Sequence, residues 1–234
     1  MQVLVSLARA IVRGAIAFAI IAVLWSVTAA AVGSPISMPT LAAVVGRLGQ
    51  LCLSPWFWQD AWISAQHILL GYVAALIGIP LGLALASAAP MRFGLGALVN
   101  GLAAAPLIAG APLMTLWFGI GDGSKIALAF AVTAFTLASD IMSGLARPAP
   151  MDGAQRETPG TTRCILAAMR RAFVLAVGAV LVGEMVASTH GLGYLLMASV
   201  ATFDTPQGVA ALLFVSLPCG VVVAICRWAE RQVA

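Results

Sequence analysis

Six stretches of roughly twenty residues, 14–33, 64–87, 94–116, 124–144, 165–187 and 208–226, are almost free of charge. Nothing else in the sequence limits the fold as strongly. A helix crossing about 30 Å of hydrocarbon needs about 20 apolar residues, and its backbone must be hydrogen-bonded within itself. The few charged residues and the one histidine in the runs lie toward their ends: His67 in the second, Lys125 and Asp140 in the fourth, and Arg170, Arg171 and Glu184 in the fifth. There they can reach headgroups or one another. The chain is 62% hydrophobic and 9% charged, against about 45–50% and about 25% in soluble domains. A water-soluble enzyme and a disordered protein are excluded. The expected fold class is all-α, a polytopic membrane helical bundle of six transmembrane helices in one domain over residues 1–234.

Charge placement gives the orientation. With the N-terminus inside, Arg9, Arg13, Arg92, Arg147, Arg156, Arg163, Arg170, Arg171, Arg227 and Arg231 fall on the cytoplasmic side, leaving Arg47 and Lys125 outside. This is the asymmetry of the positive-inside rule, with both termini cytoplasmic. The formal charge of +4 then needs no nucleic-acid partner; lipid is the partner that the composition implies. Arg9 and Arg13 before the first run also suggest a signal peptide, but the run is longer than a usual h-region and no convincing A-x-A cut with a soluble domain follows. It is read as a retained helix.

Between the first two runs, Leu41, Val44, Val45, Leu48 and Cys52 recur at helical spacing and Trp56, Trp58 and Trp62 follow. This pattern predicts a short helix on the outer face with an aromatic interfacial anchor. Gly78 and Gly82, and Ala179 and Gly183, form small-x-x-x-small pairs at which helix backbones can approach closely. Pro80, Pro106, Pro112 and Pro218 fall inside apolar runs, where each removes a helical hydrogen bond and allows a bend that neighbouring helices must compensate, so the third run is expected to be kinked.

Little in the chain suggests catalysis. No Gly-x-x-x-x-Gly-Lys-Ser/Thr run occurs, His67 and His190 have no ligand at metal spacing, and Cys52, Cys164, Cys219 and Cys226 are dispersed among apolar segments as small hydrophobes. No metal or cofactor is expected. Glu184 is the most informative single residue, because a carboxylate inside a membrane span is costly and marks either a polar pathway or a pairing partner.

Specific strings narrow the class. HILLGYVAALIGIPLGLALA from His67, LWFGIGDGSKI from Leu116 and VGEMVASTHGLGYL from Val182, preceded by MPTLAAVVGRL, resemble the permease subunit of binding-protein-dependent ABC importers, most closely the nitrate, sulfonate, taurine and bicarbonate type. The resemblance covers most of residues 38–231. It implies a type I permease fold and a translocation pathway between two permease subunits, as homo- or heterodimer. It also implies two cytoplasmic ATP-binding subunits and an extracytoplasmic solute-binding protein. The pathway is expected to involve Asn100, Pro106 and Pro112 of the third run, and Glu184. The location implied is the bacterial inner membrane.

The sequence departs from the family between the fourth and fifth helices. Relatives carry a Glu-Ala-Ala-x-x-x-Gly core there, which docks on the ATPase. Here residues 146–164 are shorter, Asp152, Gly153 and Ala154 only echo that core, and Pro159 interrupts it. Candidate docking residues are Met151, Asp152, Gly153, Ala154, Gln155 and Arg156. An intact partner subunit, a different docking mode, or a decayed permease each account for the departure. Thr136 stands where relatives often have proline. A stand-alone carrier exchanging protons through Glu184 is the alternative from another class.

Overall fold

A computed structural model of the chain describes residues 2–146 and 160–233. The candidate docking residues Met151, Asp152, Gly153, Ala154, Gln155 and Arg156 lie outside the described residues. Those described are helical with short connections: α1 (Gln2–Val32), α2 (Leu41–Cys52), α3 (Pro55–Ala75), α4 (Gly78–Ser87), α5 (Ala89–Ala104), a 3-10 turn (Leu107–Gly110), α6 (Ala111–Phe118), α7 (Asp122–Leu145), α8 (Thr161–Ala187), α9 (Leu192–Ala201) and α10 (Thr205–Gln232).

Among the described residues four helical stretches are long and apolar enough to span a membrane: Pro55–Ser87, Asp122–Leu145, Thr161–Ala187 and Thr205–Gln232. The pair Pro90–Ala104 and Leu107–Phe118 is bent by 74° and adds a fifth if taken as one span. Within α1 the stretch Ile16–Val32 is also apolar.

The chain divides into two compact units, Met1–Pro55 with Leu196–Phe214, and Trp56–Leu195 with Val215–Ala234. In the smaller unit Thr40 caps α2, accepting the Ala43 N–H on Oγ1, and Trp25 Nε1 donates to Pro39 O at 2.9 Å. Arg47 of α2 pairs with Asp204 at 2.6 Å and donates to Gln207 Oε1 at 2.7 Å. The tryptophans depart from the sequence reading. Trp56, Trp58 and Trp62 ride on the first turns of α3, exposed, because Pro55 starts that helix at a position where its missing N–H costs nothing.

In the larger unit α7 packs against α4, α5, α6 and α8, and half of its most apolar window is buried, against 11% for α10. Small residues make this possible. Lipid gives helices no hydrophobic reason to associate, so close van der Waals contact must hold them. Along α3 and α4 the buried positions Ser64, His67, Gly71, Ala75, Gly78 and Gly82 form one stripe at steps of three or four residues. A Cβ on Gly78 would sit 2.5 Å from Ala134 O, and one on Gly82 2.7 Å from Ala138 O. On the other side of α7, Ala179 and Val180 of α8 pack with Leu128, Ala129 and Val132.

The prolines act where their chemistry requires. Pro80 cannot donate to Leu76 O, which instead accepts the Ile79 N–H at 2.9 Å, so α3 and α4 part there. Pro106 and Pro112 do not lie inside one continuous third helix. Ala105 is pushed to an extended conformation (φ −66°, ψ 142°) by the proline that follows it, and Pro112 occupies the first turn of a new helix, α6. Only Pro218 stands well inside a helix, α10.

Gly82→Leu is expected to cost about 1–3 kcal/mol by overpacking against α7 and to lower the unfolding temperature of the detergent-purified protein. Gly94→Leu, built where a Cβ meets nothing within 4 Å, serves as the control and should leave that temperature unchanged.

Candidate functional site

A buried polar constellation in the larger unit forms at the end of the bundle where α3 and α7 begin and α8 ends. On α3, Asp60, Ser64 and His67 stand at i, i+4 and i+7, which places them on one helix face. On α8, Glu184 is completely buried. After α8 the chain turns through Ser188 to Gly191 and enters α9 at Leu192.

Glu184 holds this corner together. Its Oε2 accepts from Ser64 Oγ at 2.8 Å and from the Gly193 N–H at 2.8 Å, and its Oε1 lies 2.9 Å from His67 Nδ1. Ser64 Oγ in turn accepts the Leu192 N–H at 2.7 Å, and Asp60 Oδ1 accepts the Gly191 N–H at 2.9 Å. Three successive amides at the start of α9, which no helical carbonyl can reach, are therefore each taken by a side chain. Two of those acceptors are carboxylates, the charge that a helix N-terminus favours.

The glycines of the GLG string are required by the same contacts. Gly191 has φ +103°, and a Cβ on it would lie 2.6 Å from the Glu184 carboxyl carbon. A Cβ on Gly193 would lie 2.6 Å from Glu184 Cβ. The interval from Glu184 to Gly193 is thus the length of a loop that returns its own backbone to the carboxylate.

Two further groups close the corner. His67 Nε2 lies 3.2 Å from Asp122 Oδ1 at the start of α7. Lys125, buried with only 3% of its surface exposed, turns back to donate to Ile120 O at 2.9 Å and Gly121 O at 3.1 Å. Beside them a cavity of about 440 Å³ is lined by residues that include Gln66, His67, Asp122, Lys125, Thr189 and His190.

The expected pathway residues do not gather in one place. Asn100 on α5, Pro106 in the break that follows and Pro112 on α6 are exposed, and Asn100 Oδ1 accepts from Ser139 Oγ of α7 at 2.7 Å. Glu184 differs from them. With both oxygens engaged and no surface exposed, it reaches no solute in this conformation. Asp60, Ser64 and Asp122, which complete this corner around Glu184 and His67, were not singled out from the sequence, and His67 was weighed as a metal ligand and as an ionisable residue near the end of a span. The available signal was the polar spacing Asp60, Ser64, His67 on an apolar helix, together with a membrane carboxylate in need of donors. Among the described residues no group of three or more His, Cys, Asp or Glu could hold a metal ion.

No family model matches the chain. Individual proteins do. Over 197 residues, 77% of this chain and 71% of the relative, it is 30% identical to the riboflavin transport system permease protein RibX of Chloroflexus aurantiacus. The chain belongs to the permease family of ABC transporters. The permease is also 26% identical over 220 residues to the taurine transport system permease protein TauC of Escherichia coli, covering 84% of this chain and 80% of the relative. It is 28% identical over 215 residues, 86% of each, to the formylaminopyrimidine transport permease protein ThiX of Halalkalibacterium halodurans. With these relatives and its several membrane-length helices, the permease is a multi-pass protein of the inner membrane, of the taurine and sulfonate type.

Glu184→Ala leaves the His67 ring and two backbone or hydroxyl donors without their acceptor and is expected to cost about 3–5 kcal/mol, as for breaking a buried pair. Gly191→Ala should also destabilise, through strain at φ +103° and the clash with the carboxylate. Thermal unfolding in detergent checks both, and an unchanged melting temperature for Glu184→Ala contradicts the anchoring role.

Proposed function

We propose that this permease is the membrane subunit of an ATP-driven importer in which two such subunits form the translocation pathway. In this reading α1 supplies a sixth crossing, both termini are cytoplasmic, separate ATP-binding subunits provide the energy, and a solute-binding protein delivers the substrate from outside. The chain itself performs no chemistry. It offers two arrangements of a pathway whose balance a partner shifts, which requires only differential affinity of that partner for the two states.

The observation that carries the reading is the bent α5–α6 pair. Most of the larger unit is packed around α7, yet the 74° break and Asn100, Pro106 and Pro112 stay exposed. A broken helix carrying an exposed polar residue is costly against lipid, and a water-filled path or a second subunit removes that cost. The relatives' names refer to taurine, formylaminopyrimidine and riboflavin, which supports a small organic or sulfonate-like solute for this protein. Neutral donors such as Asn100 and Ser139 suit transient contact with solute oxygens rather than tight binding. Selectivity then rests mainly with the binding protein.

Coupling to the ATPase is assigned to Met151, Asp152, Gly153, Ala154, Gln155 and Arg156, the segment that matches the family's docking loop in position. Co-purification with the ATPase encoded beside it, followed by ATP hydrolysis in nanodiscs, tests this. Replacing residues 152–156 by Gly-Ser is expected to reduce hydrolysis while the permease stays folded. Absence of any complex with a well-folded permease supports a decayed subunit instead.

In the assembled transporter Asn100→Leu should lower taurine uptake in proteoliposomes about tenfold, the share of about one hydrogen bond, with hydrolysis retained. Unchanged uptake removes Asn100 from the pathway.

A further inference from the structure

His67 is enclosed between two carboxylates. Nδ1 lies 2.9 Å from Glu184 Oε1 and Nε2 lies 3.2 Å from Asp122 Oδ1. A neutral imidazole has one N–H and cannot donate to both. The three groups therefore hold together only when two protons are shared among them, either as an imidazolium between two carboxylates or as a neutral ring donating to one carboxylate while the other carries a proton. When one of the two protons leaves, one contact becomes lone pair against lone pair and opens.

Which contact opens follows from what surrounds each carboxylate. Glu184 is fully buried and keeps Ser64 and the Gly193 amide on its other oxygen, so separating it from the ring would leave a charge in the protein interior. The Asp122 side chain is 77% exposed and has water as a ready substitute. The other charged or titratable groups at this corner have their own partners. Asp60 holds the Gly191 amide, Lys125 holds two carbonyls, and His190 lies 3.9 Å from Asp60 on an exposed turn.

Asp122 opens α7 and directly follows the Gly119–Gly121 turn, where Gly119 has φ +79°. Because Lys125 ties Ile120 and Gly121 back to α7, the turn and the helix start form one piece. We propose that His67 is a positioning residue for transport, a two-proton strut that holds the Gly119–Asp122 turn against α3 beside the 440 Å³ cavity and releases it when a proton is lost. The local strut stands on its own geometry, and its role in transport rests on the importer reading above.

The test uses the full chain in nanodiscs with Cys52, Cys164, Cys219 and Cys226 replaced by serine and with Ser124→Cys as reporter. Ser124 lies directly behind the turn and is 4% exposed. Labelling by a membrane-impermeant maleimide is measured relative to Leu53→Cys, an 86% exposed site, which cancels the intrinsic pH dependence of the thiol. Between about pH 5.5 and about pH 8.5, across the ordinary imidazole range, relative labelling should rise. Asp122→Asn and His67→Gln should raise it about tenfold at the lower pH, the share of about one hydrogen bond in the opening equilibrium, and should flatten its pH dependence. Asp122→Asn changes an exposed side chain, so this arm survives even if His67→Gln fails to fold. Labelling that ignores pH, or a pH dependence that persists in Asp122→Asn, overturns the strut. In the assembled transporter Asp122→Asn should alter the ratio of taurine uptake to ATP hydrolysis. Labelling that responds in a chain that binds no ATPase keeps the strut and removes the importer reading; normal transport with unresponsive labelling does the reverse.

Discussion

Within the larger unit α4 reaches α7 at backbone distance because Gly78 and Gly82 present no side chain to Ala134 and Ala138. The rest of the unit depends on that approach. In lipid, helix association gains little from removing apolar surface, so contact area and closeness decide. Alanines and glycines on α3, α4, α7 and α8 bring four helices near enough for Leu128, Leu137 and Ile141 to be wholly buried. Had these positions carried larger residues, the spans would remain membrane-compatible while losing the packing that makes one arrangement preferred.

Close packing by small residues holds the helices side by side but fixes their axial positions weakly. The Glu184 corner supplies that missing constraint. Hydrogen bonds from Ser64, His67 and the Gly193 amide set α3 and α8 at one height, and the capped amides of Gly191 and Leu192 fix where α9 begins. Buried polar groups of this kind gain little net stability, since their desolvation offsets much of what they return. Their effect is to make the wrong registers costly, because any slide leaves a carboxylate or an amide unpaired.

Much of this was legible in the sequence. Four of the six apolar runs fall within helices long and apolar enough to span and a fifth within the bent pair, because length and lack of charge are dictated by the bilayer, and the Gly78 and Gly82 spacing marked a close approach. What sequence reasoning missed lies where local and long-range signals compete. Trp56 and Trp58 looked like part of a connection because Gln59 and Asp60 interrupt the apolar pattern, although Pro55 is a favourable helix start. The prolines pointed to a bend in the third run, but hydropathy does not register that the chain breaks there into two helices at Ala105 and Pro106. The side-chain partners of Glu184 are separated from it by well over a hundred residues, Ser64 by 120 and His67 by 117, and no local pattern states such a pairing.

The polar residues in this membrane protein therefore divide by how fully they are enclosed. Glu184, Ser64 and Lys125 are buried and have hydrogen bonds met by the same chain, so they specify the fold. Asn100 is exposed on α5, shortly before the break at Ala105, where an apolar residue would suit lipid better. Enclosed polarity at the Glu184 corner and exposed polarity on the bent pair fit the proposed bundle, in which one part stays fixed while another meets a solute. The His67–Asp122 contact stands between these two classes, with one partner enclosed and the other in water, which is why it is the member of the buried network able to change state without unfolding the corner.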